Sequence, residues 1–553
     1  MTDLVEGSHA ARSTVGGSPF PPIADYGFLS DCEVSALVAP SGNVEWMCLP
    51  RMDGPSVFAA MLDRGAGWFR LGPAEVMVPS GRRYLPGTMV LETTWGTPTG
   101  WAVVRDVLLV GPWRHGSARS ETHQRAPVDH SAERVLLRTA RCLQGTVDFV
   151  LECEPAFDYG RQRGSWRYTG DGYGEAEALA GTEPQFRLTT DLNVGFEGPR
   201  AIARRRLRAG DRAFCALSWQ DGTPPQTFAE AHQRVTRTAH FWHEWLDRGK
   251  FPDHPWREYL QRSALTLKGL IYAPTGALLA AATSSLPETP GGERNYDYRY
   301  TWLRDATFML WGLYTLGLDR EATASKVLCW VAADRGAKLA RLRGDEERAT
   351  AWRKAADEIH ADVCAHGLDD RGVFCQHCGT TALDASALLI PLVGFLPPED
   401  KRVRSTVLAI ADELTENELV LRYLVEETDD GFSGEEGTFT ICSFWLVSAL
   451  TEIGEVARAR ALCEKLLSYA SPLLLYAEEI DPHSGRHLGN FPQAFSHLAL
   501  INAVIHLIRA DEMDQSSFPG AIIAGGEHEG SLSVPGIPRS QGHRAERARD
   551  LPA

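Results

Sequence analysis

The sequence predicts a multidomain α+β protein in which an N-terminal antiparallel β-sandwich precedes a helical domain. From residue 22 to about 219, apolar residues alternate with polar ones and Gly and Asn punctuate the runs, which is typical of β-strands. From residue 255 to about 509, apolar residues recur every three or four positions, which is typical of helices. The 553 residues are too many for one compact core, so two or three domains are expected.

The first part of the chain divides into an arm and a β-domain. Residues 1–19 are polar and contain Gly and Ser, which predicts a flexible arm. Residues 20–226 are predicted to form the β-sandwich, with one hairpin in residues 36–48 that turns at Ser41-Gly42-Asn43. Segments 89–95 and 101–110 form a second hairpin, and segments 135–139 and 147–153 repeat the pattern. So many strands without intervening helices favour a large antiparallel sandwich.

The period of the apolar residues changes at the end of the β-domain. Residues 227–250 are predicted to form a linker helix, and residues 251–510 the helical domain. Residues 511–553 lose periodicity, become rich in Gly, Pro and Ser, and predict a disordered tail. The nine predicted helices of the helical domain are 256–272, 300–317, 324–343, 346–366, 383–395, 400–414, 438–452, 454–469 and 492–510.

Charge and composition exclude several classes of function. The 56 Lys and Arg against 72 Asp and Glu leave a net charge of -16, which disfavours nucleic acid and anionic membranes as partners. No run of about 18 apolar residues predicts a transmembrane helix, and residues 1–18 lack an apolar leader core, so the cytoplasm is the expected location. Eleven scattered cysteines suit reduced thiols there. The tight pair Cys375 and Cys378 lacks the second pair of a zinc site, so no metal site is predicted.

Three segments concentrate aromatic, acidic and Arg side chains at the edges of predicted helices, namely 286–305, 434–445 and 475–495. Sugars present hydroxyls around ring faces, so their sites combine stacking rings with carboxylates and Arg. Cleaving a glycosidic bond also needs two carboxyl groups, one to protonate the leaving oxygen and one to activate water or attack. The segments therefore indicate a sugar site, and the alternative is solvated loops, where Asp and Glu are common.

Five longer motifs stand in order along the chain. They are Ile23-Ala-Asp-Tyr-Gly-Phe-Leu-Ser-Asp31, Trp46-Met-Cys-Leu-Pro-Arg-Met-Asp-Gly-Pro-Ser-Val-Phe58, Tyr298-Arg-Tyr-Thr-Trp-Leu-Arg-Asp305, Glu436-Gly-Thr-Phe439 and Gly489-Asn-Phe-Pro-Gln-Ala-Phe-Ser-His497. These motifs resemble glycoside hydrolase family 15, which contains glucoamylases and trehalases. The resemblance covers about residues 20–510, is strongest for the actinobacterial (mycobacterial-type) trehalase branch, and implies a β-sandwich, a linking helix and an (α/α)6 barrel.

The resemblance implies the catalytic base and the innermost sugar subsite. Glu478, the first Glu after Tyr476-Ala477, matches the general base that takes a proton from the attacking water in an inverting mechanism. Arg304 and Asp305 match the pair that holds hydroxyls of the non-reducing glucose. Trp302 and Tyr298 belong to the same motif and are expected to shape that pocket.

Three further carboxyl groups have less certain roles by motif. Glu435 and Glu436 precede the predicted helix start at Thr438, where they serve either as helix caps or as carboxylates that bind sugar hydroxyls. Glu479, the next residue, is equally well explained as a structural neighbour, and it ranks well below Glu478.

The general acid of the family is missing from its expected place. In the family it lies in a Gly-Ile-Trp-Glu type motif just before a segment like 325–335, but here the chain passes from 317–322 almost directly to Ser325, with no Trp-Glu pair between. The acid and about three of twelve barrel helices are therefore expected to be absent, through an internal deletion after Ala322. Glu436 and Glu288 are weak substitutes by motif position.

The connection at this point is also short. Residues 318–323 span at most about 20 Å when extended, whereas an 18-residue helix is about 27 Å long. Either the barrel is rearranged, or the chain is a deleted form of a complete ancestor, or an error of gene prediction has removed the segment.

The expected function is an α,α-trehalase that hydrolyses trehalose to glucose with inversion and is impaired because the acid is missing. A glucoamylase-like exo-α-glucosidase acting on maltooligosaccharides and a non-catalytic sugar-binding remnant stay open as alternatives. Phosphate and Mg²⁺ are implied by the resemblance to the trehalase branch alone, because no motif here binds either. Family members tend to assemble, which implies a homo-oligomer, although no segment specifies one.

Overall fold

The computed structural model describes residues 19–111, 131–170, 172–301, 328–376, 380–425 and 437–517. In these residues sixteen antiparallel strands are followed by helices, so the predicted fold class is confirmed. The predicted arm up to residue 18, the predicted helix 300–317, the short link 318–323 and the predicted tail from residue 518 lie outside the described residues.

The β-domain is one antiparallel network of strands. The strands are β1 (Gly27–Ser30), β2 (Ser35–Val38), β3 (Asn43–Cys48), β4 (Ser56–Phe58), β5 (Trp68–Pro73), β6 (Gly81–Tyr84), β7 (Leu91–Thr97), β8 (Gly100–Val110), β9 (Ala132–Glu154), β10 (Ala156–Phe157), β11 (Gln162–Tyr168), β12 (Glu175–Ala180), β13 (Glu183–Thr190), β14 (Gly195–Glu197), β15 (Arg200–Arg208) and β16 (Arg212–Ser218).

Strand β9 belongs to both layers of the sandwich. Its first half pairs with β8 and β16, and its second half pairs with β5 and β15. The predicted segments 135–139 and 147–153 are therefore parts of one strand. Gly145, with φ of +66°, lies between the two halves, where a Cβ would clash with the carbonyl of Thr99.

The two layers pack face to face around buried apolar side chains. Phe58 of β4 contacts Phe186 of β13 with ring centroids 5.9 Å apart. Arg138 of β9 crosses between the layers: it donates to the carbonyl of Phe69 at 2.8 Å and pairs with Asp106 at 2.8 Å. A charge this deeply buried is tolerated because it is fully paired and hydrogen-bonded.

Eight of the nine helices predicted for the helical domain fall wholly or partly in the described residues; seven of them are present, and the prediction of a full helix over 383–395 is wrong. Pro391 lacks an N–H, so the predicted helix 383–395 is only a 3-10 turn (Ala385–Leu388) and one short helical turn. The last helix continues to Ser517 because no Gly or Pro interrupts it before Pro519. The helices are α1 (Phe228–Leu246), α2 (Arg257–Leu270), α3 (Leu328–Leu342), α4 (Glu346–His366), α5 (Leu389–Leu392), α6 (Lys401–Glu413), α7 (Thr440–Glu452), α8 (Val456–Ser468) and α9 (Ala494–Ser517).

Two helices attach the β-domain to the helical region. Thr227 caps the N-terminus of the linker α1, because its side chain accepts the Glu230 N–H. On α2, the buried Arg262 guanidinium lies 3.7 Å from the centre of the Tyr84 ring and donates to the carbonyl of Thr88 at 2.9 Å. Buried apolar side chains of the two regions form one continuous core.

No helix in the described part of the chain has both the length and the apolar character to cross a membrane.

Candidate active site

Segments 286–305 and 475–495 meet beside another stretch of chain, residues 280–285, and the described part of segment 434–445 pairs with 475–495 through Thr438 and Ile480. The Ala281 N–H donates to the carbonyl of Tyr298 at 2.9 Å, and the Ala494 N–H donates to the carbonyl of Ala280 at 2.8 Å. The Gly489 N–H donates to the carbonyl of Pro287 at 2.9 Å. Backbone hydrogen bonds therefore hold segments that are about 200 residues apart in sequence around one place.

The β-domain fixes the loop that carries Tyr298. The Trp46 indole N–H donates to the carbonyl of Ala282 at 2.8 Å. Arg299 is only 5% exposed; it donates to the carbonyl of Gly54 at 2.7 Å and pairs with Asp297 at 2.6 Å. The β-domain motif at 46–58 is thus part of the support of the site.

Glu478 lies at the end of the loop between α8 and a small three-stranded sheet, β17 (Thr438–Phe439), β18 (Glu479–Ile480) and β19 (His487–Leu488). Two further short hairpins pair Ile271–Tyr272 with Ala277–Leu278 and Thr415–Glu416 with Leu419–Val420. The Thr440 N–H, at the start of α7, donates to the carbonyl of Glu478 at 3.1 Å. The Tyr476 hydroxyl donates to the carbonyl of Leu466 at 3.0 Å. These bonds fix the backbone on both sides of the carboxylate.

A buried histidine also holds this loop. His497 Nε2 accepts the Tyr476 N–H at 3.3 Å, and its Nδ1 lies 3.0 Å from the Ser263 hydroxyl. Burial lowers the pKa of His497 to about 3, so the ring is neutral and can accept at Nε2 while it donates at Nδ1.

The Glu478 carboxylate contacts the Tyr298 hydroxyl, the Gln493 amide and the Gly489 backbone. It is 1% exposed, and its Oε1 accepts from the Tyr298 hydroxyl at 2.5 Å and from the Gln493 amide at 3.5 Å. The Gln493 Oε1 is in turn held by the Ser496 hydroxyl at 2.7 Å. Gly489, with φ of +73°, lies so close that a Cβ there would stand 2.7 Å from Glu478 Oε2. A short hydrogen bond to an ionised acceptor is among the stronger ones in proteins.

Glu479 adjoins Glu478, and a third buried carboxyl group, Glu288, lies close to Glu479. Glu479 is fully buried, and its Oε2 accepts the Gly437 N–H at 3.0 Å. Burial raises the pKa of Glu479 well above its usual range, and the neighbouring Glu478 and Glu288 carboxyls add to that effect. Burial also raises the pKa of Glu288, whereas Arg294 and Arg422 act against it. Two buried carboxyl groups whose pKa values are raised thus lie at the place where the segments converge.

The structure describes only some of the residues that the sequence singles out. Glu478 and Tyr298 are brought into contact, and Glu288 lies close enough to affect Glu479. Trp302, Arg304, Asp305, Glu435 and Glu436 lie outside the described residues.

Sequence reasoning missed Gln493 and Gly489, both of which contact Glu478. Both lie in the motif at 489–497, so the motif itself was the available signal. Their proximity to Glu478, however, depends on the tertiary fold.

Within the described residues, no group of three or more His, Cys, Asp or Glu side chains is arranged to hold a metal ion.

A β-sandwich that supports a helical region, with buried carboxyl groups on the loops between its helices, is the architecture of a glycoside hydrolase. Comparison with known proteins agrees. The profile of glycosyl hydrolases family 15 matches residues 254–324 and 319–505, and the trehalase-like N-terminal profile matches residues 10–103.

Relatives over most of the chain are named trehalases. That of Mycobacterium tuberculosis is 53% identical over 622 aligned positions, covering 90% of this chain and 92% of the relative. That of Thermoplasma volcanium is 26% identical over 623 positions, covering 89% and 94%. The chain belongs to glycosyl hydrolase family 15, and it is an O-glycosyl hydrolase by that membership.

Among solved structures, a bacterial glucoamylase complexed with acarbose has the same fold. The TM-score is 0.60 at 10% identity, over 89% of this chain and 95% of that chain.

The alignments also bear on the expected internal deletion. Because 90% of 553 residues is about 498, about 124 of the 622 positions aligned with the Mycobacterium tuberculosis relative have no residue of this chain opposite. The family profile matches in two segments that meet at 319–324. Both findings support a missing segment next to Ala322.

Proposed function

We propose that this chain hydrolyses α,α-trehalose to glucose with inversion and that Glu478 is the general base. The observation that carries the proposal is the buried Glu478 carboxylate, held at 2.5 Å by the Tyr298 hydroxyl at the junction of the predicted sugar-site segments. The trehalases that are 53% identical over 90% of this chain supply the substrate class.

In the proposed reaction, water attacks the anomeric carbon of one glucose ring while its proton passes to Glu478. The bond from that carbon to the bridging oxygen breaks, so the attacked ring leaves as β-glucose and the other ring leaves as α-glucose. Tyr298 and Gln493 orient the base. Arg304 and Asp305 bind hydroxyls of the attacked ring, Trp302 shapes the pocket, and Glu435 binds a further hydroxyl.

The leaving oxygen also needs a proton, and the expected donor is missing from the sequence. General acid assistance is typically worth about 10²–10⁴-fold, so we expect turnover lower than that of an intact relative by about that factor. Glu288, which is buried and whose pKa is raised, and Glu436 are the candidate weak substitutes.

The test is glucose release from trehalose by this chain, by Glu478→Gln and by the Mycobacterium tuberculosis relative in parallel. We expect slow release by this chain and a further loss of at least about 100-fold in Glu478→Gln. Glu464→Gln, an exposed carboxyl on α8, is the matched control and should leave the rate unchanged. A rate near that of the relative would refute the missing acid, and an unchanged rate in Glu478→Gln would refute the base.

Two arms of the experiment separate the alternatives. Faster glucose release from maltotriose than from trehalose would favour a glucoamylase-like exo-α-glucosidase. Trehalose binding in calorimetry without glucose release, weakened in Arg304→Ala, would favour a sugar-binding remnant.

A chimera tests the role of the missing segment directly. Inserting the corresponding segment of the Mycobacterium tuberculosis relative after Ala322 should raise trehalose turnover by about 10²–10⁴-fold. An intact-mass measurement of the native protein shows whether the segment is absent in the cell.

The proposal includes action in the cytoplasm as a homo-oligomer. Buried thiols without disulfides, such as Cys48, Cys153, Cys215 and Cys463, favour a reducing compartment. Assembly rests on the family resemblance alone, and sedimentation equilibrium tests it.

A further inference from the structure

We propose that Glu479 carries a proton in the folded protein and, as a neutral acid, is a positioning residue that leaves Glu478 as the single anion of this adjoining pair. Nothing in the family resemblance assigns this state to Glu479, which ranks well below Glu478 by motif.

The hydrogen bonding of Glu479 suits a neutral acid better than an anion. Its side chain has no measurable exposure, and its Oε2 accepts only the Gly437 N–H, at 3.0 Å. Its Oε1 is buried and has no hydrogen-bond partner among the described residues. An ionised carboxylate buried in this way would have lost its hydration in exchange for one backbone donor, which is strongly unfavourable.

The packing around Glu479 leaves its side chain little room to rotate towards solvent. A Cβ on Gly437 would stand 2.5 Å from Glu479 Oε2, so the carboxyl group fills the space beside the Gly437 backbone. On the other side of β18, Glu479 pairs with Leu488 of β19, which offers no side-chain donor.

The charges that face Glu479 favour the proton further. Glu478 precedes it in the chain, and Glu288 approaches from the loop that follows residue 285; both are carboxyl groups that disfavour a second negative charge. Arg294, from that same loop, is the cation that acts in the opposite direction. Burial and the two carboxyls outweigh Arg294, and the pKa of Glu479 is raised well above its usual range.

The consequence for catalysis rests on the proposed function of Glu478 as the base. Two ionised carboxylates side by side would repel each other, and Glu478 would bind the proton that it must be free to accept from water. A neutral Glu479 removes that competition. The protonation state itself does not depend on Glu478 being catalytic, so it can be tested without activity.

The experiment compares the urea unfolding of this chain with that of Glu479→Gln between pH 5 and pH 8. Glu479 is protonated in the folded protein and ionised in the unfolded chain above its ordinary pKa, so the parent loses one proton on unfolding and its stability falls as pH rises. Glu479→Gln has no such proton. The unfolding constant of the parent divided by that of Glu479→Gln should therefore rise about tenfold per pH unit.

Glu464→Gln, an exposed carboxyl, is the matched control, and its ratio to the parent should not change with pH. If Glu479→Gln does not fold, Glu479→Ala replaces it, because the slope requires only that the new side chain cannot ionise. A ratio that stays constant from pH 5 to pH 8 would show an ionised Glu479 and overturn the proposal.

Hydrolysis adds a readout for the positioning role. Glu479→Gln, which mimics the neutral acid, should keep the kcat of trehalose hydrolysis within about threefold, whereas Glu479→Ala should lower it by about tenfold or more. If Glu479→Gln lowered kcat as far as Glu479→Ala does, the positioning role would be wrong. Absence of any hydrolysis in the parent would count against the proposed function, while the unfolding ratio would still decide the protonation state.

Discussion

Gly489 lies against the proposed base, and replacing it with Ala should damage both stability and catalysis. The backbone φ of +73° costs an L-residue about 1–2 kcal/mol. The new Cβ would stand 2.7 Å from Glu478 Oε2 and 2.9 Å from Glu478 Cβ, and overpacking of this kind typically costs about 1–3 kcal/mol. The expected loss of stability is therefore about 2–5 kcal/mol.

The same contact predicts the catalytic loss. Ordinary van der Waals contact begins at 3.4 Å, so the Glu478 carboxylate must move by about 0.7 Å to admit the Cβ at 2.7 Å. A misplacement of about 1 Å costs about 10²-fold in rate, so Gly489→Ala should lower the kcat of trehalose hydrolysis by nearly that factor.

Gly454 supplies the matched control for this variant. Its φ is +83°, but a Cβ there would meet nothing within 4 Å, so Gly454→Ala should lose only about 1–2 kcal/mol and keep its kcat. Urea unfolding and glucose release from trehalose measure the two effects. Equal stability losses in the two variants, with full hydrolysis by Gly489→Ala, would refute the reasoning.

Three further predictions test the support of the site. Tyr298→Phe removes the hydrogen bond to the Glu478 carboxylate, and a hydrogen bond to a charged group is worth about 1.5–3 kcal/mol. The kcat/KM for trehalose should therefore fall by about 10–150-fold. An unchanged kcat/KM would contradict a role for this contact. His497 has a pKa of about 3 in the folded protein, so below about pH 6.5 it binds a proton only in the unfolded chain. Its contribution should therefore lower the free energy of unfolding by up to about 1.4 kcal/mol per pH unit as the pH falls. His497→Asn should lack this contribution, and identical pH slopes in the two proteins would argue against a neutral ring. Arg299→Met removes a buried guanidinium from the half-buried Asp297 and takes a donor from the Gly54 carbonyl, so it should cost about 1–3 kcal/mol in urea unfolding. Arg299→Lys should restore this stability only in part. An unchanged free energy of unfolding would show that this loop is held by other contacts.

Much of the fold was predictable because each region keeps one period of apolar residues over a long stretch. Local sequence could not show that β9 is a single strand, because the polar residues around Gly145 look like a turn. The short α5 is different, since Pro391 stands in the sequence and its effect could have been read there.

The sequence singles out Glu478 through its motif, but it does not reveal the side chains that surround this carboxylate. Glu478 follows from the resemblance of its motif. The contact with Tyr298 joins residues 180 positions apart, and the contact with Gln493 joins the end of one loop to the start of a helix. Such contacts come from the tertiary convergence of segments, which periodicity and composition do not encode.

Two hydrogen bonds join the β-domain to the helical region: Trp46 donates to the carbonyl of Ala282, and Arg299 donates to the carbonyl of Gly54. These bonds have a consequence for how heat inactivates the protein. Because Arg299 holds the loop that bears Tyr298 to the carbonyl of Gly54 in the β-domain, unfolding of the sandwich on heating should release that loop at the same time. Loss of hydrolysis should then follow the same time course as loss of β-sheet signal, and the helical region produced alone would have the base without the clamp that orients it. Residual activity after heating thus becomes a direct reporter of the intact sandwich.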